Sequence, residues 1–333
     1  MSKIKYFIRC LKHLDIKNMI KIAKKISKKT KKFTLFILID IIICAIKYGS
    51  GYYDYQEFEF YNLNKNERKT YLTRTKNNQI IKKYNNQKEF YKFDQKDTFN
   101  ELFKSYLKRE YLIIKDNYNE FVKFTEKHNT FIAKPIDGEG GKGIEIYTIK
   151  NKQNLKKIYN ELINKNQLLC EEIIKQHNEL NKLYDKSVNS LRLFTFITDN
   201  NEVVVLNSIF KIGNGGITDN FSSGSMYTFT NEEGIIIAPA IDQNDNYFEN
   251  HPITNKQIIN FSIPFYKEAC DLVKDAALVV PNVRYVGWDV AITNEGPVII
   301  EGNSYPGIFQ MKPSFSKEKT GLLTKYNKYM EIK

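Results

Sequence analysis

Three oxygen-bearing residues near the C-terminus, Asp289, Glu301 and Asn303, fall in the stretch "VGWDVAITNEGPVIIEGNSYPG" at a spacing that could bring them together. Thr293, Asn294, Glu295 and Gly296 have turn composition between two apolar runs, which predicts a β-hairpin. A hairpin centred on Glu295 sets Asp289 opposite Glu301, with Cβ atoms about 5 Å apart on one side of the sheet. Asn303, two residues beyond, shares that face. Like charges so placed repel. A divalent cation relieves the repulsion, and sparse protein ligation with open positions suits Mg2+ shared with phosphates. The alternative is a solvated hairpin face, or one carboxyl held protonated.

A second candidate is "DGEGGKG" at residues 137–143, which contains a literal G-x-G-x-x-G. A dinucleotide-binding fingerprint must open a helix, but here Gly143 runs into "IEIYTI", an alternating, β-like stretch. A Walker A loop needs G-K-[ST], and Gly143 follows Lys142 instead. Protein kinases place a glycine loop between strands, but their lysine lies downstream, and no H-R-D or D-F-G occurs here. What survives is a strand–glycine loop–strand with Lys134 upstream, at the end of "FIAK", and Lys142 inside. Gly138, Gly140, Gly141 and Gly143 would let backbone N–H groups close over phosphate oxygens. A glycine-rich hairpin with surface lysines is the competing reading.

The elements that must position these groups are a mixed α+β set. Residues 1–95 read as helical and charged, with tyrosines in "GYYDYQEFEFYNL". "FNELFKSYLKREY" and "NLKKIYNELINK" have helical period, and a long helix is expected within residues 255–277. Strands are expected at "NTFIAKPI", "GIEIYTI", "QLLCEEII", "SLRLFTFIT", "EVVVLNSIFKI", "YVGWDVAIT" and "GPVIIEGN". That order fits an α+β core better than regular β-α-β alternation. The texture divides the chain at residues 1–46, 47–128, 129–174 and 175–333.

The 333 residues are 42% hydrophobic, ample for a packed core, and carry a formal charge of +13. Residues 1–32 hold twelve Lys or Arg against one Asp, leaving 39 basic and 37 acidic residues elsewhere. The body is therefore nearly neutral, which argues against a nucleic-acid partner. Ile4, Phe7, Ile8, Leu11 and Leu14 recur at helical spacing among Lys3, Lys5, Arg9 and Lys12. Such a basic amphipathic head either packs on its own domain as an ordinary surface helix or lies on an anionic membrane surface. "FTLFILIDIIICAI", residues 33–46, is too short and too polar at Asp40 to span a bilayer, and is expected to be a buried helix. Cys10, Cys44, Cys170 and Cys270 are scattered, which gives neither a zinc site nor a disulfide framework. The expected location is cytoplasmic, with peripheral attachment at the inner membrane face as an option.

Lys134-Pro135, the glycine loop, and Asp289 with Glu301-x-Asn303 together resemble the ATP-grasp superfamily. "LLCEEIIKQHNELNKLYDKSVNSLRLFTF" resembles the hinge strand and S-x-N-x-x-R segment of the sugar-transfer-associated ATP-grasp family. "GNGGITDNFSSGSMYTF" and "KYGSGYYDYQEFEFYNLNKNER" are similar to that family too. The resemblance covers about residues 47–307 and leaves the lysine-rich head outside. It implies an ATP-grasp fold, in which two α+β subdomains clamp ATP, with a helical basic extension in front.

It also implies residue roles. Lys96 and Lys134 would contact phosphates, and Gly138, Glu139, Gly140, Gly141, Lys142 and Gly143 would cover the triphosphate. Glu171, Glu172, Ile173 and Ile174 would form the hinge beside adenine and ribose. Asp289, Glu301 and Asn303 would hold Mg2+. Arg192 and Asn189 would face the γ-phosphate and the acceptor, and Lys211, Asp219 and Asn220 would contact phosphate or substrate. The implied activity is ATP-dependent carboxylate–amine ligation through an acyl phosphate, on small-molecule or glycan substrates of surface-polysaccharide metabolism. A phosphoryl-transferring ATP-grasp kinase and a non-catalytic, membrane-associated nucleotide-binding protein are the alternatives.

Overall fold

The computed structural model describes residues 15–114, 117–138, 142–216, 224–316 and 318–332. The chain forms two compact units, Met1–Lys83 with Gly307–Lys333, and Tyr84–Pro306. The first fourteen residues of the basic head lie outside the described residues.

In the first unit, helix α1 (Ile16–Thr30) starts where the Asp15 carboxylate accepts the Asn18 N–H at 3.0 Å, satisfying one of the unpaired donors of a helix start. Lys28 and Lys29 in its last turn meet the negative end of the helix dipole. Met19, Ile22, Ala23 and Ile26 recur at helical spacing and are buried, in one cluster with helix α2 (Thr34–Tyr48). Helix α2 departs from the buried helix expected for residues 33–46. Ile37, Ile41, Cys44 and Tyr48 are buried, whereas Leu35, Phe36, Ile39, Ile42, Ile43 and Ile46 are exposed. Apolar composition shows that a helix has faces to bury, not how many of them find a neighbour. Gln310 ties the C-terminal return to this unit: its amide donates to the Leu72 carbonyl at 2.7 Å and accepts from the Leu72 and Leu322 N–H groups at 3.2 Å.

The second unit holds two antiparallel sheets. The smaller has the order β1-β4-β2-β3, from strands β1 (Tyr111–Ile113), β2 (Thr130–Lys134), β3 (Glu145–Thr148) and β4 (Leu169–Glu172). Phe131 and Ala133 alternate inward on β2 and are buried with Phe121, Phe124, Leu155, Tyr159 and Leu162. Those partners come from helices α4 (Tyr118–Lys127) and α5 (Leu155–Asn164), while helix α3 (Lys96–Leu102) precedes the sheet. The β2–β3 pairing, from Thr130 with Thr148 to Ala133 with Glu145, makes the expected strand–glycine loop–strand a hairpin.

The larger sheet runs β11-β10-β5-β6-β7-β8-β9. Its strands are β5 (Ser190–Ile197), β6 (Val203–Ile212), β7 (Met226–Phe229), β8 (Ala240–Ile241), β9 (Tyr247–Phe248), β10 (Tyr285–Thr293) and β11 (Gly296–Asn303). Helix α6 (Tyr266–Ala277) packs on one face, over a core that includes Leu191, Leu193, Phe210, Ile212, Trp288, Val290 and Ile299. The helix expected over residues 255–277 is confined to this last part. Pro264 disfavours helical backbone before it, and Phe265 turns the chain in with φ 52°. Alternation leaves Arg192, Lys211 and Asp289 for the opposite face.

Trp288, the single tryptophan, is fully buried behind Asp289, and its indole N–H donates to Thr195 Oγ1 at 2.8 Å. Thr195→Val keeps the shape and strands that donor, so urea unfolding should show a loss of about 1–3 kcal/mol. An unchanged midpoint would contradict this account of the core.

Candidate active site

The hairpin pairing that brings Asp289 opposite Glu301 is present, but by a different route from the one expected. The turn is a two-residue one, with Thr293 facing Gly296, and this register persists through Val290 and Ile299. Left alone, it would set Asp289 opposite Ile300. A β-bulge between Asp289 and Val290 shifts the pairing by one, so that Asp289 faces Glu301, Trp288 faces Gly302 and Gly287 faces Asn303. A bulge leaves ladder carbonyls without partners, and Arg109 takes them up. It donates to the Ile299 carbonyl at 2.6 Å and to the Ile300 carbonyl at 3.2 Å.

Across the neighbouring strand Asp289 pairs with Arg192. The guanidinium grips the carboxylate with Nε and with Nη2, the latter at 2.7 Å, and Lys211 Nζ stands 2.9 Å from Oδ1. Burial opposes ionisation of Asp289, but Arg192 and Lys211 outweigh it and bring its pKa down to about 2. Glu301 is pushed the other way, above its ordinary value, first by desolvation and then by the Asp289 charge, against the opposing effect of Arg192 and Lys211. Glu301 itself is exposed to solvent. Asn303 is half-buried on the same strand, and its amide donates to the Gly287 carbonyl at 3.3 Å.

The smaller sheet contributes a second charged cluster. Ile132 pairs with Glu171, so Lys134, two residues on, lies diagonally on the same face, and its Nζ reaches Glu171 Oε2 at 2.7 Å. Arg109 Nη2 stands 3.2 Å from Glu171 Oε1, and the Asn100 amide donates to the same oxygen at 2.7 Å. Burial opposes the Glu171 charge, but Arg109, Lys134 and Asn100 hold its pKa far below the usual range. Lys96 Nζ donates to the Gly138 carbonyl at 2.7 Å and to the Ile136 carbonyl at 3.3 Å, which pins the start of the glycine loop. Desolvation lowers the Lys96 pKa, and Lys134, Glu301, Asp137 and Glu171 are close enough to act on it. The two sheets therefore bring their charged groups into one neighbourhood.

Gly143 ends the loop at φ 75°, where a Cβ would meet Pro135 at 2.9 Å, so only glycine fits there. Gln167 donates to the Gly143 carbonyl at 2.8 Å, and Lys142 is exposed. Glu139, Gly140, Gly141, Asp219 and Asn220 lie outside the described residues. Glu172, Ile173 and Ile174 follow Glu171 and are half-buried.

Asn189 departs from the role expected of it beside the γ-phosphate. It is fully buried, and its amide donates to Gln176 Oε1 at 2.9 Å and to the Tyr184 carbonyl at 2.8 Å. Its own oxygen accepts the Gly213 N–H at 3.0 Å. His251 Nε2 grips the Gly213 carbonyl at 2.8 Å, and a Cβ on residue 213 would lie 2.0 Å from Ser187 Oγ. Asn189 is thus a positioning residue that fixes the chain after β6. Arg109, Asn100 and His251 were not expected from sequence, because no local motif marks a residue whose partners lie on other elements.

Among the described residues no group of three or more His, Cys, Asp or Glu side chains assembles for a metal ion. The donor set still fits Mg2+, which commonly takes one or two protein carboxylates and completes its shell with phosphate and water. Asp289 is kept ionised, Glu301 has its charge opposed by its neighbour, and Asn303 adds an amide on that face.

The model of the family described as sugar-transfer associated ATP-grasp matches residues 75–321. Among solved structures, N5-carboxyaminoimidazole ribonucleotide synthetase from Thermotoga maritima is 13% identical over 64% of this chain and 42% of that one, with a TM-score of 0.37. N5-carboxyaminoimidazole synthetase from Staphylococcus aureus, complexed with ADP, is 15% identical over 65% and 45%, with a TM-score of 0.41. D-alanyl-alanine synthetase A from Vibrio cholerae is 12% identical over 72% and 61%, with a TM-score of 0.42. The chain spans only 42% to 61% of the length of these three structures. No curated protein matches it.

Two measurements check this description. Glu171→Gln leaves the Arg109 and Lys134 charges without their buried partner, and should lower stability by about 3–5 kcal/mol in urea unfolding; a neutral result would contradict the network. Burial depresses the His251 pKa, against its bond to the Gly213 carbonyl. The unfolded chain then takes up the proton first, so the contribution of His251 is complete above its ordinary pKa of about 6.5 and drains as pH falls through the folded value. Wild type should lose stability between pH 7 and pH 5 relative to His251→Gln, which keeps a donor and does not titrate. Parallel pH curves would contradict this.

Proposed function

We propose that this chain, which belongs to the sugar-transfer-associated ATP-grasp family, is an ATP- and Mg2+-dependent ligase that joins a carboxylate to an amine. The observation that carries this reading is the row Glu301, Asp289, Arg192 and Lys211, laid across four adjacent strands on one face of the larger sheet. It sets two carboxylates, oxygen donors for a cation, beside two cations for phosphate. Lys134 and Lys96 supply further positive charge beside the glycine loop.

In the proposed reaction the substrate carboxylate attacks the γ-phosphorus of ATP, and the bond to the bridging oxygen breaks to release ADP. An amine then attacks the acyl phosphate, expels inorganic phosphate and loses a proton to leave the amide. Lys134, held by Glu171, positions phosphate oxygens, and the glycine loop would cover them. Arg192 and Lys211 spread the charge that develops on the transferring group, in a site where their own positions are already fixed by Asp289. Asp289, Glu301 and Asn303 would hold Mg2+, which supplies charge neutralisation of the phosphates when bound. No protein nucleophile is required.

The family's association with sugar transfer supports substrates among surface polysaccharides or their precursors, such as an amino acid joined to a uronic acid. The test is an ADP-release screen of sugar acids crossed with amino acids, with mass spectrometry of each hit and hydroxylamine trapping of the acyl phosphate. ADP release that needs both acid and amine is the expected result. A stable phosphorylated product formed without an amine would replace the ligase with a kinase. For an active pair, Lys134→Met and Glu301→Gln should each lower kcat/KM by about 100-fold or more with the fold retained. Near wild-type rates would contradict the assignment.

A further inference from the structure

The first unit carries a surface that the ligase reading does not use. On α2 the exposed side chains Leu35, Phe36, Ile39, Ile42, Ile43 and Ile46 fall within an arc of about 120° when successive residues are set about 100° apart. The buried set Ile37, Ile41, Cys44 and Tyr48 lies on the opposite side of the helix, against the unit's own core. The helix thus has two apolar faces, of which the fold covers one. Leu35, Phe36 and Ile46 are 65%, 64% and 63% exposed, and Phe33, just before the helix, is 76% exposed. This is a continuous stripe rather than scattered surface residues.

The segment before the stripe is strongly basic. Residues 15–32 hold eight lysines against Asp15, and Lys31 and Lys32 stand at the near end of α2, with Lys47 at its far end. The acidic residue within α2, Asp40, is neutralised: Arg68 donates to both its oxygens at 2.7 and 2.6 Å, and Tyr55 donates at 2.7 Å. The helix has 15 residues, so it is about 22 Å long against a hydrocarbon core of about 30 Å. Among the described residues no helix is long and apolar enough to cross a membrane.

We propose that the exposed face of α2 seats this protein on an anionic lipid surface, the helix lying in the plane of the headgroups. The aliphatic and aromatic side chains of the stripe enter the acyl boundary, and Lys31 and Lys47, at the two ends of the helix, face lipid phosphates; Lys29 and Lys32 are held by Glu59 and the Tyr61 carbonyl. A lipid surface suits a stripe with lysines at both ends, because apolar burial and attraction to anionic headgroups then act at one place. The docking element is α2 and its flanks rather than residues 1–32 alone, and the inference stands independently of the catalytic reading.

The experiment uses the full chain, flotation with phosphatidylcholine vesicles, and the same vesicles containing phosphatidylglycerol. Wild type should float with the anionic vesicles and bind the neutral ones far less. The combined variant Leu35→Gln, Ile39→Gln, Ile42→Gln should weaken binding more than about tenfold at unchanged Tm. Lys31→Gln and Lys47→Gln should each weaken it about fivefold. Phe36→Trp should give a new emission that shifts to the blue on binding and is quenched by brominated lipid, a signal that buried Trp288 does not provide. Failure to float, or flotation unaltered by the glutamine variant, overturns the proposal. So does a concentration-dependent dimer that the glutamine variant dissolves while vesicle binding is absent, since the stripe is then a contact between copies.

Discussion

The arrangement depends on two carboxylates held side by side. Asp289 and Glu301 repel, and a hairpin with nothing to compensate them would give up stability for no structural return. Three features hold them in place. The bulge at Ile300 supplies the extra residue that the two-residue turn leaves short, Arg109 absorbs the carbonyls the bulge exposes, and Arg192 with Lys211 neutralises one of the two charges. The residual strain is electrostatic and sits on Glu301. A divalent cation relieves it without rearrangement of the sheet.

Counting the charged side chains that meet in the second unit explains why the ligand should be a polyanion. Lys96, Lys134, Arg109, Arg192 and Lys211 meet Glu171, Asp289, Glu301 and Asp137, five cations against four carboxylates. Such an excess is held together by specific pairs rather than by solvent, because the paired side chains are largely shielded from water. Glu171 is the centre of the smaller cluster. It joins Lys134 on the lid-like hairpin to Arg109, whose other hydrogen bonds run to the bulge of β11, so one side chain links the two sheets.

Much of this was legible in the sequence. Alternation fixed which faces of β2, β5 and β10 look outward, and the flanks of the glycine run identified a hairpin rather than a helix start. The pairing of Asp289 with Glu301 was anticipated with the wrong turn, since a one-residue bulge and a one-residue error in turn length cancel. What the sequence concealed are properties set by partners far along the chain. Asn189 is indistinguishable from a catalytic amide until Gln176, Tyr184 and Gly213 surround it. Arg109 is an ordinary surface arginine until the bulge needs a donor. The second face of α2 is apolar whether or not anything covers it, and composition therefore suggested burial where the structure gives exposure. The return of Gln310 to Leu72 has no local signal at all.

The claim on which the account turns is that the Asp289–Glu301 pair binds a divalent cation jointly with a nucleotide. Mn2+ titration followed by electron paramagnetic resonance, with and without a non-hydrolysable ATP analogue, tests it directly. The account predicts Mn2+ held tightly only when the nucleotide is present, and released in Asp289→Asn and in Glu301→Gln. Tight Mn2+ binding that survives both substitutions, or that is indifferent to the nucleotide, would contradict it.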